Sequence, residues 1–320
     1  MSEPKPVILD SDIGGDIDDT WALALLLKCP ELKPVLMVSD TGDTEYRARL
    51  IAKLLEVAGR TDVPVGVGVP FPGDGPRQRQ LPWVEDYGLA DYPGPLHRDG
   101  VRAIIDTVMG SVHPVTLIAI GPVSNIRAAL EREPRIAPRT HFVGMHGSFA
   151  WHHATNLNNR EFRAGQIPEF NVKRDIPAAQ AVFAAPWRSL TITPVDSCGM
   201  IVLDGARYAR IRESADPLLR AVLENYRMWS PHNGENDAET HTSVLFDTVA
   251  VYLAVTRAHL TMSRMGVRVD DLGFTVEDAK ARPVDVALAW ENLTAYYDWL
   301  EARFLAPTVP GPHGRVRLGA

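Results

Sequence analysis

Five aspartates stand close together near the start of the chain, in Asp10-Ser11-Asp12-Ile13-Gly14-Gly15-Asp16-Ile17-Asp18-Asp19. Two carboxylates about 4 Å apart repel by roughly 4 kcal/mol at an effective dielectric near 20. Folding that stretch into one turn therefore calls for a cation, and the pattern predicts a metal site. The ordinary use of an Asp in such a place is to cap a helix, but five of them cannot cap one helix. Hard oxygen donors suit calcium, which takes roughly six to eight of them, or magnesium in a tighter shell. Zinc would want His or Cys, which the turn lacks. A further ligand has to come from elsewhere, and Asp247 is the candidate, a lone carboxylate inside the apolar run 244–253. A buried carboxylate is costly unless it is paired or metal-bound; helix capping is its plainer reading. Glu169-Phe170-Asn171 offers an acceptor and an amide suited to gripping vicinal hydroxyls. Trp83, Trp151, Tyr226 and Trp229 could stack on a planar ring, although aromatics more often fill a core or a rim.

These groups need elements to position them. The acidic turn follows the apolar run 7–9 and precedes another, 21–27, which describes strand, loop and helix in an open α/β sheet. Such sheets bind ligands at the carboxyl ends of their strands. Further strands are predicted at 35–38, 65–67, 115–120, 140–143 and 190–193, and helices at 44–58, 101–111, 124–132, 217–229 and 246–258. Alternation of the two favours a largely parallel sheet. Gly121-Pro122-Val123-Ser124-Asn125 reads as a strand-to-helix turn with Ser124 as N-cap, placing the Ile120 carbonyl at the same edge as the acidic turn. Pro/Gly-rich residues 70–95 read as a long rim or lid, and 147–168 as a second irregular stretch holding His152, His153, Asn156, Asn158 and Asn159. Residues 230–242 form a polar loop, and the tail beyond 304 is peripheral. With 320 residues and no linker or repeat, a single domain (1–320, core about 7–304) is expected.

Composition narrows the partners. A net charge of −7 argues against a general nucleic-acid or acidic-membrane surface, and no apolar run of about 18 residues is present to span a bilayer. Cys29 and Cys198 have no metal-ligand spacing and read as buried thiols of a reducing compartment. The amino-terminal residues carry no signal-peptide pattern, so a cytoplasmic location is expected.

In this order the pieces resemble the nucleoside hydrolase (inosine-uridine preferring) family, over roughly residues 7–300. The acidic turn is the most specific element: the family pattern is Asp-x-Asp-x-Gly-x-Asp-Asp, and this chain carries a form two residues longer. Gly121 to Ile126, Val143-Gly144-Met145-His146-Gly147, Glu169-Phe170-Asn171 with 175–179, and 245–253 around Asp247 support it. The resemblance implies a Rossmann-like nucleoside hydrolase fold, hydrolysis of a ribonucleoside, and a homo-dimer or homo-tetramer. It implies a calcium ion (Ca2+) held by Asp12, Asp19, the Ile120 carbonyl and Asp247, with Asp12 also taking the proton from the attacking water. Asp18, Glu169 and Asn171 would hold the sugar, Met145 would lie beside it, and Asp43 stands where the family commonly has Asn. The two extra residues leave more than one way to align Asp10 and Asp16, either of which could support the site from behind. One departure stands out: Phe246 occupies the place of a His that can assist base departure. His241, His232, His152 or His153 are candidates to replace it, with His241 taken as the catalytic one.

The chemistry is coherent on its own terms. Breaking an N-glycosidic bond builds positive charge on the ribose, which surrounding carboxylates favour, and gripped hydroxyls supply orientation. Two other readings compete. Asp10-Ser11-Asp12 after a strand could serve a HAD-like phosphatase, but Gly14-Gly15 and three more Asp do not fit that family's pattern. Phe246 could instead mark a non-catalytic ribose or nucleoside binder, or a specialised homologue acting on a modified nucleoside or biosynthetic intermediate.

Overall fold

The computed structural model of the chain describes residues 3–71, 78–153, 162–233 and 238–311; Asn156, Asn158 and Asn159 lie outside them. Twelve strands are described: β1 Lys5–Ser11, β2 Leu32–Ser39, β3 Val65–Val67, β4 Leu96–His97, β5 Val115–Ala119, β6 Thr140–Met145, β7 Trp151–His153, β8 Phe162–Ala164, β9 Ser189–Thr193, β10 Leu260–Val269, β11 Thr275–Glu277 and β12 Pro283–Trp290. Ten of them form one sheet in the order β11-β10-β12-β9-β6-β5-β1-β2-β3-β4. It is parallel from β12 through β4 and antiparallel where β10 meets β11 and β12.

β1 lies at the middle, with β2 on one side and β5 on the other. Val7, Ile8 and Leu9 are wholly buried, as a central parallel strand covered on both faces requires. Their side chains alternate: Val7 and Leu9 join one core, Ile8 the other. The chain reverses its direction of travel across the sheet at β1, so the crevice beyond its carboxyl end is the switch point where open α/β sheets hold ligands.

The helix Asp18–Leu27 that follows is buried along its whole length. Its residues are apolar on every side after the first turn, the pattern of a helix enclosed by protein. Trp21 packs edge-on to Tyr226 and Phe304. Helices Thr44–Val57, Gly100–Gly110, Ser124–Arg132 and Pro217–Trp229 fall where periodicity places them. Ser124 is not the cap of its helix: Val123 holds that position, and Ser124 Oγ donates to Asp175 Oδ2 at 2.8 Å. The two long irregular stretches contain short elements, a helix at Leu81–Val84 and the β7–β8 hairpin. Cys29 and Cys198 are free and buried. Among the described residues no helix is long and apolar enough to cross a membrane.

Candidate metal and sugar site

At the carboxyl end of β1 the backbone leaves the sheet and turns through Gly14, whose φ of 100° is open to glycine at little cost. A Cβ there would also meet Tyr46 and Leu50 at 2.7 and 2.6 Å. The turn is held from three sides. Arg47, itself buried, donates from Nη1 to the Ile13 carbonyl at 2.8 Å and from Nε to the Thr41 carbonyl at 2.9 Å. Gln80 donates from Nε2 to the Asp16 carbonyl at 3.2 Å and accepts from Thr20 Oγ1 at 3.2 Å. Asp16 Oδ1 accepts the Ile17 N–H at 2.8 Å.

This scaffold delivers Asp18 and Asp19 as the first two residues of their helix, facing Asp247 from the distant segment 244–248. One carboxylate oxygen from each of the three lies within 4.8 Å of the others, and all three are buried. Asp247 stands at the N-cap position of the helix Thr248–Val255, yet its side chain makes no capping bond; it is turned into the acidic group instead. Burial, and then the neighbouring charges (Asp16 ahead of Asp12 for Asp18, Asp12 and Asp18 for Asp19, Asp18 and Asp19 for Asp247), pushes all three carboxyls well above the usual carboxylate range. Ser11 Oγ donates to Asp19 Oδ1 at 2.6 Å, and Arg47 offsets part of the charge on Asp19. That compensation is incomplete, and a hard cation is what an all-oxygen set of buried carboxylates fits. The chain thus has a buried acidic cluster suited to a metal ion.

Asp12 stands outside that trio. Its carboxylate is 3.9 Å from Arg47 Nη2 and lies against Gly121, where a Cβ would come within 2.9 Å of Asp12 Oδ1 and of its backbone N. Only glycine lets the ends of β1 and β5 approach so closely. Behind Asp12, Asp10 is fully buried; burial pushes it up to about 7, against the pull of the Asn125 amide, which donates at 2.8 Å.

Glu169, Asn171, Met145 and Ile120 form the adjoining wall. Glu169 accepts from the backbone N–H of Asn171, Gly147 and Val172 at 2.7, 3.1 and 3.2 Å. Burial nonetheless pushes its carboxyl up to about 7. Asn171 Nδ2 donates to the carbonyls of Ile120 and Met145 at 3.2 and 3.1 Å. His146 is buried beside them, its Nε2 bonded to the Gly121 carbonyl at 3.1 Å; burial holds its pKa down to about 4, so the ring is neutral.

The remaining sequence-predicted residues make other contacts. Asp43 is exposed and caps the helix Thr44–Val57, its Oδ1 accepting the Tyr46 N–H and its Oδ2 the Gln78 amide. Tyr226 and Trp229 are fully buried and pack on each other with ring centroids 5.9 Å apart, so the structure gives them to the core rather than to an open stacking face. Their helix presents them on the same side as Leu218, Leu219 and Val222, and burying apolar area there outweighs exposing it. His241 bonds through Nδ1 to the Thr242 carbonyl, and its backbone bridges to Asp204. His232 is exposed, and Phe246 is partly buried against the larger core. Arg47, Ser11, Gln80 and His146 were not anticipated. Arg47 had a signal: it falls three and four residues before Leu50 and Ile51, on the apolar stripe of its helix, where a charge is out of place.

Comparison with known proteins gives one answer. The sequence pattern described as inosine-uridine preferring nucleoside hydrolase matches residues 7–297. The inosine-uridine preferring nucleoside hydrolase of Crithidia fasciculata is 27% identical over 297 residues, 86% of this chain and 88% of the relative. The non-specific ribonucleoside hydrolase RihC of Klebsiella pneumoniae is 30% identical over 244 residues, 72% of this chain and 74% of the relative. A plant nucleoside hydrolase shares the fold with a TM-score of 0.78 at 21% identity, covering 95% of this chain and 100% of that one. A purine-preferring ribonucleoside hydrolase from Gardnerella vaginalis does so with a TM-score of 0.71 at 22% identity, covering 94% and 99%.

Proposed function

The chain belongs to the inosine-uridine preferring nucleoside hydrolase family, and from that premise we propose that it hydrolyses the N-glycosidic bond of a ribonucleoside, giving ribose and free base, with calcium as its ion. The observation that carries this reading is the convergence of Asp18, Asp19 and Asp247 from two distant segments at the carboxyl edge of the sheet. Asp12, Asp19, Asp247 and the Ile120 carbonyl would hold the ion, and Asp18 is close enough to share in the work. When bound, the ion supplies the positive charge that acidifies the attacking water and holds the sugar diol.

The chain's own groups do the rest. Asp12 Oδ takes the proton from the attacking water. Glu169 and Asn171 grip ribose hydroxyls; three backbone amides fix Glu169 beforehand, so little orientation is lost when substrate arrives. Met145, held through its carbonyl and Sδ by Asn171, lines the sugar's other side. The carboxylates together favour the positive charge that grows on the ribose as the base leaves. Phe246 has no proton to give to that base. This favours a narrower version of the same reading, a nucleoside whose base departs without an acid; His241 is the donor candidate that competes with it. By family likeness the working form is a homo-oligomer.

The test is release of reducing sugar from a panel of purine, pyrimidine and modified ribonucleosides with calcium present. Turnover of at least one, abolished by chelation and restored by calcium, is the expected result. Silence across the panel, with binding of intact nucleoside by calorimetry, would replace the hydrolase with a nucleoside-binding homologue.

A further inference from the structure

At the opposite edge of the sheet from the acidic cluster lies a cavity of about 620 Å³. Its floor is made by the first residues of β1, β2, β5, β6 and β9, and one wall by Leu253 and Ala254 at the end of the helix that begins beside Asp247. Seven residues of β1 separate the two places, about 20 Å of strand.

The charge of this cavity runs against that of the chain. The molecule carries a net −7, yet Lys5, Lys33 and Arg257 line the cavity and Glu3 is the one carboxylate among its lining residues. Arg257 pairs with Asp285, but Asp285 also serves Arg264, so one negative charge is divided between two guanidiniums. Lys5 Nζ donates to the carbonyl of Ala254 at 2.8 Å, a neutral partner that leaves its charge uncancelled. Among the described residues Lys33 forms no ion pair, and neither does Arg188, exposed next to Ser189 and close enough for its charge to act on His141. Within it His141 Nδ1 is bonded to Ser189 Oγ at 2.7 Å, and Thr191 Oγ1 accepts from Arg257 at 2.9 Å. Burial holds His141 below its ordinary pKa, and the positive charges of Arg188, Lys5 and Arg257 push it the same way. The surplus amounts to two or more positive charges, and the hydroxyls add neutral donors.

We propose that this cavity is a second ligand site, for an organic phosphate monoester. A dianion matches the surplus charge, and the apolar part of the wall (Val35, Val143 and Leu253) suits a carbon body. The volume exceeds what a bare phosphate would fill. The site is independent of the hydrolytic reading and would stand if that reading failed.

The test is calorimetric titration of the full-length protein with ribose 5-phosphate, inorganic phosphate and ribose, repeated on Lys33→Glu, Arg188→Glu and Asp247→Asn. Expected are one ribose 5-phosphate per chain, weakened at least about tenfold by each charge reversal, and unchanged binding in Asp247→Asn. Inorganic phosphate should bind more weakly, and ribose should give no heat in Asp247→Asn. The proposal is overturned if ribose 5-phosphate does not saturate the wild-type protein in the millimolar range. It is equally overturned if both reversals bind as wild type does, or if binding disappears in Asp247→Asn, which would move the ligand to the acidic site. Equal affinity for inorganic phosphate would remove the organic body from the claim and overturn it as stated.

Discussion

Ser11 Oγ donates to Asp19 Oδ1 across 2.6 Å, and both residues are buried. The bond fixes one carboxylate of the acidic trio and favours its charged form against the burial that opposes it. A hydroxyl placed behind a metal-binding carboxylate tunes affinity without touching the ion. Ser11→Ala is therefore expected to weaken calcium binding by about tenfold to a hundredfold, measured by calorimetry on chelator-stripped protein. Affinity equal to wild type would mean that Asp19 is not a ligand or needs no such support.

The buried acids also set a pH dependence for the metal-stripped protein. Burial, the leading cause, raises Asp10 and Glu169 to about 7, against unfolded values near 4. Asp18, Asp19, Asp40 and Asp247 shift the same way. Between pH about 4 and about 7 the folded chain therefore holds more protons than the unfolded one, and stability falls as pH rises through that window. With chelator present, Tm should be higher at pH 5 than at pH 7.5. Calcium should then raise Tm more at pH 7.5, where the carboxylates are free to bind it. A chelated protein whose Tm climbs with pH over this range would contradict the assignment.

Asp12→Ala tests the base. The substitution removes a proton acceptor that sits outside the buried trio, so the fold and part of the ion affinity should survive. Turnover should fall by roughly a thousandfold, read as ribose release at saturating nucleoside, with the circular dichroism unchanged. Activity near wild type would hand the proton to another carboxylate of the cluster.

The short-range parts of this site were legible because they are short-range. The acidic turn is one contiguous segment, and Glu169-Phe170-Asn171 sits at a helix start whose backbone amides fold onto Glu169 within three residues. Asp247 was legible for a different reason, as a charge inside an apolar run. What the sequence did not disclose depends on the third dimension. The trio that converges includes Asp18 beside the expected Asp19 and Asp247, while Asp12, packed against Gly121 and 3.9 Å from Arg47, adds its charge to all three; neither contact leaves a trace in local spacing. The two-residue β4 and the antiparallel pair β7–β8 carried no apolar run, whereas the parallel strands β1, β2, β3, β5, β6 and β9 were foreseen from theirs. The antiparallel strands β10 and β12 were not, since their alternating, half-exposed residues give no continuous apolar signal. The buried fate of Tyr226 and Trp229 was likewise invisible, because an aromatic on an amphipathic helix looks the same whether it faces core or ligand.

Phe246→His addresses the missing acid. Phe246 immediately precedes Asp247 and is partly buried, so an imidazole there would stand at the edge of the acidic group. If base departure limits the reaction, the substitution should raise kcat on purine nucleosides by about tenfold to a hundredfold, within the range a positioned acid supplies. The gain should appear in kcat and fade above the new imidazole's pKa. No gain, with the protein folded and calcium bound, would point to a base that leaves unaided or to a donor such as His241.

Trp229→Ala separates a core aromatic from a stacking platform. Trp229 has no exposed surface, packs on Tyr226, and lies 6.0 Å from the guanidinium carbon of Arg79. Removing so large a buried side chain should cost roughly 3–5 kcal/mol of stability, seen as a lower denaturation midpoint. Among molecules that remain folded, KM for nucleoside should change by less than about threefold, because a ring enclosed by protein offers no face to a base. The opposite pattern, a normal midpoint with a KM raised by about tenfold or more, equivalent to losing roughly 1.4 kcal/mol of binding, would show the ring turning outward to meet substrate and would restore Trp229 to the binding site.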